Sequence, residues 1–225
     1  MLLLEAQTTV THTMPGVHLP VEVEPAVFDA IKLATNSGII VVEAAGNGLN
    51  NGGPGANLDQ FVSTTGKRVL NRNSPDFKDS GAIIVAAASS GVPHSRMSFS
   101  NFGSRIDCYA WGENVTTSGS SKAPSSPTAY TKTFSGTSSA SPIIAGAALA
   151  LQGISEAYLG TSFSPLNMRS MLSVVATGTT SANPSVEKIG VMPDLKKIVT
   201  VSMGLTPAAI LAKDLAALVP ISINS

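Results

Sequence analysis

The sequence predicts an α/β fold with a mostly parallel central sheet, and three observations point to it. A short apolar strand at residues 1–6 is followed by a helix that opens at Pro25 and, after Gly38, by a second strand at residues 39–42. Strand, helix and strand in this order form a βαβ unit. The runs at 39–42 and 82–88 are apolar at consecutive positions, which is typical of parallel strands buried on both faces.

The remaining elements follow from the positions of apolar runs, prolines and glycines. Residues 8–25 and 46–55 are predicted as loops, residues 106–110 as a strand and residues 118–127 as a Ser/Pro-rich surface loop. A nearly uncharged helix at 139–152 is apolar all round and is therefore expected to be central. Prolines open three further predicted helices, at 165–176, 193–203 and 207–218.

Composition excludes several classes of function. The chain has 225 residues, no formal net charge and 12% charged residues, about half the roughly 25% of an ordinary soluble domain. It lacks the basic field that nucleic-acid binding requires. One cysteine, Cys108, excludes an internal disulfide framework and a cysteine-cluster metal site. No stretch reaches the ~18 apolar residues of a membrane span, so no membrane partner is expected.

The segment from Phe134 to Pro142 carries the strongest chemical signal, because Gly136-Thr137-Ser138 runs directly into the apolar helix. This places the Ser138 hydroxyl at a helix N-terminus, where free amides and the macrodipole stabilise negative charge. A nucleophilic serine benefits from that setting, since its attack creates an oxyanion beside its own N–H group. The alternative is that Ser138 is only a helix N-cap.

A second signal lies at the end of the 39–42 strand, where Ala45-Gly46-Asn47-Gly48 forms a Gly-rich loop. Ligands bind at the C-terminal edge of such sheets, and the Asn47 amide there could donate a hydrogen bond to a developing oxyanion. The alternative is an ordinary Asn-Gly turn.

Taken together, the Gly-Thr-Ser-Ser-Ala-Ser-Pro helix start and the preceding Ala-Ala-Gly-Asn strand end resemble the subtilisin-like serine proteases of peptidase family S8. The resemblance extends over residues 1–204 and includes the intervening segments 98–103 and 112–115. It implies a three-layer subtilisin-like fold, a hydrolase that forms an acyl-enzyme, Ser138 as the nucleophile and Asn47 as the oxyanion-hole donor.

The same resemblance predicts the substrate cleft. Ala45 and Gly46 are expected to form one wall of the pocket for the substrate residue at the scissile bond. Ala6 and Gln7 are expected to form the opposite wall, although the family's Ser-Leu-Gly pattern is absent there. Glu43 shares a strand face with Ala45, so it either adds acidity to this pocket or is a hydrogen-bonded structural residue.

Two catalytic motifs of the family do not occur in this sequence. They are a strand that ends with the catalytic Asp and a helix that begins with His-Gly-Thr, and in the family both lie upstream of the segments found here. The three histidines, His12, His18 and His94, do not precede Gly-Thr and are interpreted as surface loop residues. Asp107 resembles a structural Asp of the family. The chain therefore resembles the C-terminal portion of the catalytic domain, and the N-terminal side of that domain is missing. A tail at 205–225 follows, which contains the predicted helix at 207–218.

Several expectations follow from this reading. The partners are a polypeptide substrate and the missing N-terminal half; the chain alone is expected to be inactive and prone to aggregate. No cofactor is required for the chemistry, structural calcium is possible but has no trusted ligand spacing here, and the family favours an extracellular location. The alternative function is a non-catalytic remnant that acts as an interaction module. An α/β-hydrolase esterase is disfavoured because no Gly-x-Ser-x-Gly elbow occurs.

Overall fold

The computed structural model describes residues 1–49, 52–119 and 128–218, with side chains as far as residue 213. The strands in chain order are β1 (Leu2–Leu4), β2 (Gln7–Thr8), β3 (Val17–Pro20), β4 (Val41–Ala44), β5 (Gly48–Leu49), β6 (Ile83–Ala88), β7 (Cys108–Trp111), β8 (Val115–Ser118), β9 (Tyr130–Phe134), β10 (Gly178–Thr180) and β11 (Val191–Pro193). The α-helices are α1 (Pro25–Asn36), α2 (Thr137–Ile154), α3 (Pro165–Ser173), α4 (Pro184–Glu187), α5 (Leu195–Lys197) and α6 (Pro207–Leu218).

The central sheet has six strands in the order β1-β4-β6-β7-β11-β10. Strands β1, β4, β6, β7 and β11 pair in parallel, and only β10 is antiparallel to its neighbour. Every residue of β4 and β6 is buried, as the continuous apolar runs predict. The predicted α/β fold with a mostly parallel sheet is confirmed.

Three layers result from the alternation of side chains along the strands. One face of the sheet packs against α2 and α3 through a cluster that includes Val42, Val85, Ala140, Ile144 and Met168. The opposite face packs against α1 and the segments around it. Its core includes Leu19, Ile31, Phe61, Ile84 and Tyr109.

Residues 8–25, predicted as a loop, contain strand structure, so that prediction is wrong. β3 pairs antiparallel with both β2 and β5, and His18 lies opposite Gly48. Val17 and Leu19 bury their side chains in the core while His18 between them is only half-buried. This alternation is the physical reason for a strand at this position.

Helix α2 covers the predicted 139–152 helix and is longer at both ends. It is not buried all round, because one face packs on the sheet while Ile143 and Leu149, at different positions around the helix, are 39% and 58% exposed. Leu2 and Leu3 on the edge strand β1 are also exposed, at 46% and 38%. We call these four residues the apolar flank.

One stretch, Thr137–Leu159, is long and apolar enough to cross a membrane by length and composition alone, which the sequence analysis did not anticipate. Its main part, α2, packs against β4, β6 and β7 of the central sheet. The most apolar 18-residue window of this stretch is 28% buried.

The other helices depart from their predicted bounds mainly at their ends. α3 ends at Ser173, and Val175–Thr177 continues as a 3₁₀ turn. The predicted helix at 193–203 is divided into α5 and a π-helical turn at Ile198–Ser202. Of the predicted 118–127 loop, residues 120–127 lie outside the described residues, and residue 118 belongs to the β8–β9 hairpin.

Candidate active site

Helix α2 presents Ser138 as its second residue, because the N-cap is Gly136 with φ 114°. That left-handed backbone angle favours glycine. Ser138 is therefore not the N-cap, and the interpretation of Ser138 as a cap is wrong. Its N–H belongs to the first turn, where backbone amides have no partner within the helix. Ser138 is half-buried, and its hydroxyl has no hydrogen-bond partner among the described residues.

Asn47, three residues beyond the end of β4, is fixed by the first residue of α2. Its Oδ1 accepts a 2.8 Å hydrogen bond from the Thr137 N–H and a 2.9 Å bond from the Thr137 hydroxyl. Because these donors identify Oδ1, the remaining side-chain atom, Nδ2, is a donor. A Cβ placed on Gly136 would lie 3.5 Å from both Asn47 Nδ2 and Ser138 N. Two N–H groups therefore approach the same point beside Gly136.

Ala45 and Gly46 form the turn that orients Asn47, and both are buried. The carbonyl of Ala45 accepts a 2.7 Å bond from Asn101 Nδ2. Gly46 has φ +90°, and a Cβ there would lie 2.3 Å from the carbonyl oxygen of His18. Glycine at 46 thus lets β3 pass directly against the turn.

Gln7 joins the site through its side-chain oxygen, Oε1, which accepts a 3.1 Å bond from the Asn47 N–H. A cleft of about 290 Å³ opens at this point, lined by Gln7, His18, Asn47, Leu49, Gly52, Phe99, Ser135 and Gly136. Of the predicted site residues, the structure brings Asn47 and Gln7 together at this cleft, with Ser138 two residues beyond its Gly136 edge. Ala45 and Gly46 are buried and are not among the lining residues, and Ala6 is exposed on the strand connection.

Two of the three histidines, His18 and His94, are not the surface loop residues that were predicted. His94 is 4% exposed, its Nδ1 lies 2.8 Å from the Ser89 carbonyl, and its ring packs edge-on to Tyr109. His18 lies on β3 and lines the cleft. His12 is exposed, as expected. Sequence reasoning missed His18, although the alternation of Val17, His18 and Leu19 is a strand signal that could have found it.

Glu43 does not line this cleft. It is fully buried, and Oε1 accepts a 2.9 Å bond from the Glu22 N–H, whereas Oε2 has no partner among the described residues. Burial first, and the neighbouring Glu22 carboxylate second, raise the pKa of Glu43 well above its usual value. Of the two predicted roles, the hydrogen-bonded structural one agrees with this position.

A buried ion network lies beside Glu43. Arg105 is fully buried and donates to Glu22 at 2.7 Å and to Asp107 at 2.9 Å. Asp107 Oδ2 also accepts a 2.8 Å bond from the Ile84 N–H. These contacts tie β6 and β7 to the layer that carries Glu22, which agrees with a structural rather than catalytic Asp107.

Among the described residues, no group of three or more His, Cys, Asp or Glu side chains is arranged to hold a metal ion. Cys108 is buried, and burial raises the pKa of its thiol well above the usual value. The thiol is therefore held in its protonated, unreactive form.

Comparison with known proteins places this geometry in context. The model of the subtilase family matches residues 15–194. Subtilisin-like protease 3 of Arthroderma otae is 36% identical over 131 residues, which are 57% of this chain and 26% of that protein. Subtilisin-like serine protease Pen c 1 of Penicillium citrinum is 32% identical over 163 residues, 71% of this chain and 34% of that protein. The chain thus spans about a quarter to a third of the length of these relatives.

Solved structures give the same fold. The Prenylagaramide maturation protease PagA superposes with a TM-score of 0.56 and 18% identity over 91% of this chain and 61% of that chain. The Patellamide maturation protease PatA gives a TM-score of 0.54 and 22% identity over 80% of this chain and 57% of that chain. The predicted subtilisin-like fold is confirmed. Because the family model matches most of the sequence, the chain belongs to the subtilase family.

Proposed function

We propose that this chain supplies the nucleophile, the oxyanion hole and part of the substrate cleft of a serine endopeptidase. The observation that carries the proposal is that Asn47 Nδ2 and Ser138 N both lie 3.5 Å from the position that a Cβ on Gly136 would occupy. Paired N–H donors of this kind stabilise the oxyanion of acyl transfer. Membership of the subtilase family supports the same chemistry.

In the proposed reaction, Ser138 Oγ attacks the carbonyl carbon of the scissile peptide bond and loses its proton to a base. The carbonyl oxygen becomes an oxyanion that accepts hydrogen bonds from Asn47 Nδ2 and the Ser138 N–H. When the C–N bond breaks, the amine leaves with the proton that the base returns. An ester on Ser138 remains, and water hydrolyses it with the same base.

We further propose that the base and its orienting carboxylate, a His and an Asp in this family, come from sequence outside residues 1–225. His12 and His94 contact the backbone carbonyls of Val62 and Ser89 and not Ser138. The exposed edge of the sheet supports a missing neighbour, since β1 is an edge strand and its Leu2 and Leu3 are exposed. An unpaired edge strand is a ready site for another strand.

The second candidate is a non-catalytic remnant that binds a protein through the exposed edge strand β1. The contacts of His12 and His94 with the carbonyls of Val62 and Ser89, rather than with Ser138, favour this candidate. Without its base, a catalytic triad retains only weak activity. The first candidate requires a His and an Asp from outside residues 1–225 to complete the site, and the second does not.

The test is labelling by a fluorophosphonate, which forms a covalent bond with an activated serine, followed by peptide mapping. We expect an adduct on Ser138 in the folded chain when imidazole is added as an external base, and none in the Ser138→Ala variant. The gene should also encode, in frame and upstream, an Asp strand end and a His-Gly-Thr segment. A stop codon directly before Met1, with no adduct on folded protein, would favour the non-catalytic remnant.

A further inference from the structure

A second cavity, of about 620 Å³, lies beside the first half of α2 and is larger than the cleft beside Asn47. Its lining residues fall within 110–116, at the end of β7 and the start of β8, within 143–147 of α2, and within 192–195 of β11 and α5. We call this cavity the α2 pocket. Neither Asn47 nor Ser138 is among its lining residues, so it is separate from the proposed active site.

The walls of the α2 pocket differ in polarity. The lining residues from α2, β11 and α5 are all apolar, and the polar ones are Trp111, Asn114 and Thr116 on the third wall. The side chains of Trp111 and Thr116 have no hydrogen-bond partner among the described residues, and Asn114 uses only Nδ2, which donates to Ser90 Oγ at 3.1 Å. No charged side chain is among the described lining residues. The pocket therefore offers hydrogen bonds on one wall and apolar contact on the others.

Gly146 keeps the α2 pocket open. It lies inside α2, and a Cβ placed on it would meet no atom within 4 Å, so the structure has room for a side chain there. Glycine is less favourable than alanine inside a helix, because it loses more backbone freedom when the helix forms. The missing side chain at position 146 thus costs helix stability and leaves the space of the pocket unfilled.

The unpaired edge of the sheet does not account for the α2 pocket. In the order of the six strands, β1 is the first, whereas β7 and β11 beside the pocket are the fourth and the fifth. Neighbouring strands lie about 4.8 Å apart, so β7 is about 14 Å from β1. A strand that pairs with β1 would therefore not fill this pocket.

We propose that the α2 pocket binds an uncharged small molecule with an apolar body and one hydrogen-bonding head group. The apolar walls take the body, and Trp111, Asn114 or Thr116 pairs with the head group. A charged head group would lose its hydration without meeting an opposite charge, which is unfavourable. A volume of about 620 Å³ lies within the range of about 300–1,000 Å³ that is typical of ligand pockets. Binding here does not depend on the proposed function, because Ser138 and Asn47 take no part in it.

Fluorescence measures this binding directly, because Trp111 is the only tryptophan in the sequence and is 42% exposed. 1-Octanol, octanoate and octylammonium have alkyl chains of about the same length and differ in charge, and each is titrated into the folded 225-residue chain at pH 7. We expect 1-octanol to shift the Trp111 emission saturably to shorter wavelength and to bind at least about tenfold more tightly than either ion. Each CH₂ added from 1-hexanol to 1-octanol should tighten binding about three- to fourfold.

Variants of α2 assign the binding to the pocket. Gly146→Leu fills it and should weaken 1-octanol binding at least about tenfold, while leucine favours the helix more than glycine does. Gly146→Ala fills less of the pocket and should weaken binding less. Gly153→Leu is the matched control and should bind like the wild type, because Gly153 also lies in α2 with no atom within 4 Å of an added Cβ but does not line the pocket. Urea unfolding midpoints show which variants keep the fold.

Three results would overturn the proposal. The first is binding of octanoate or octylammonium that is as tight as that of 1-octanol. The second is 1-octanol binding that is unchanged in both Gly146→Leu and Gly146→Ala. The third is an emission spectrum that no alcohol shifts, and if that spectrum changes with protein concentration, the occupant of the pocket is a second copy of the chain.

Discussion

The side-chain oxygen of Asn47 accepts two hydrogen bonds from Thr137, at 2.8 Å from the backbone N–H and 2.9 Å from the hydroxyl. The two residues are 90 positions apart in sequence, and the contact joins the end of β4 to the start of α2. It fixes the amide so that Nδ2 becomes the donor beside Ser138. The orientation of the proposed oxyanion hole therefore depends on Thr137.

Thr137→Val should loosen this amide, because it removes the hydroxyl bond and keeps the N–H bond. We expect a loss of about 1 kcal/mol in unfolding free energy and a severalfold slower imidazole-assisted labelling of Ser138. Urea unfolding and labelling rates measure the two effects. Thr133→Val is the matched control, since Thr133 is exposed on β9. Labelling of Thr137→Val at the wild-type rate would contradict the role given to Thr137.

Glu43 should make the fold less stable as pH rises. Its folded pKa is raised by burial and then by Glu22, so its favourable contribution is complete below the unfolded pKa of about 4.3. That contribution is lost as pH rises from there through the folded pKa. Each tenfold gain in proton affinity on folding corresponds to about 1.4 kcal/mol.

Glu43→Gln should therefore raise the unfolding free energy at pH 7 relative to the wild type, and the two proteins should converge towards pH 4. Urea unfolding from pH 4 to 8 measures the difference. The control is Glu156→Gln, an exposed residue after α2. If the unfolding free energy of the wild type instead rose relative to that of Glu43→Gln with increasing pH, the predicted direction of the pH effect would be wrong.

Arg105 should be more important for stability than Arg169. Arg105→Met leaves the buried carboxylates of Glu22 and Asp107 without their common partner, and breaking such a buried pair costs about 3–5 kcal/mol. Arg169 is 13% exposed and pairs with Asp79, whose side chain is 34% exposed, so Arg169→Met should cost less, about 1.5–3 kcal/mol for lost hydrogen bonds to a charged group. Equal losses in urea unfolding would refute the buried network as a main support of the fold.

The apolar flank should make the chain bind hydrophobic dye and self-associate. Ile143→Lys and Leu149→Lys together should lower the dye fluorescence and the apparent mass in light scattering, because two exposed apolar groups are replaced by charges. Val186→Lys is the control, since Val186 is 64% exposed outside the flank. A sharp cooperative melt of the wild type without a dye signal would contradict the expectation that the chain is prone to aggregate.

The elements that local chemistry determines could be predicted from sequence. Pro25 is the first residue of α1, where the fixed φ of proline suits a helix start, and Gly38 after the helix has φ +83°, which glycine adopts because it has no Cβ. The continuous run in β6 marks a strand buried on both faces. Asn47 follows a strand end and Ser138 a helix start, and both of these features can be recognised from a few neighbouring residues.

Features that depend on distant contacts could not be predicted in this way. β3 has four residues, and its place is set by pairing with β2 and with Gly48–Leu49. The burial of His94 depends on Tyr109 from β7. The exposure of Ile143 and Leu149 depends on which layers cover α2, and the composition of a helix does not specify its neighbours.

The imidazole dependence of Ser138 labelling tests the central claim most directly, since it asks whether Ser138 and Asn47 form a working nucleophile and oxyanion hole. We predict that the rate of fluorophosphonate labelling at Ser138 rises in proportion to imidazole concentration in the folded chain. Asn47→Ala should lower that rate by about 10²–10³, the cost of losing one such donor in subtilisin itself. No adduct on Ser138 at any imidazole concentration, or an Asn47→Ala rate equal to the wild type, would contradict the account.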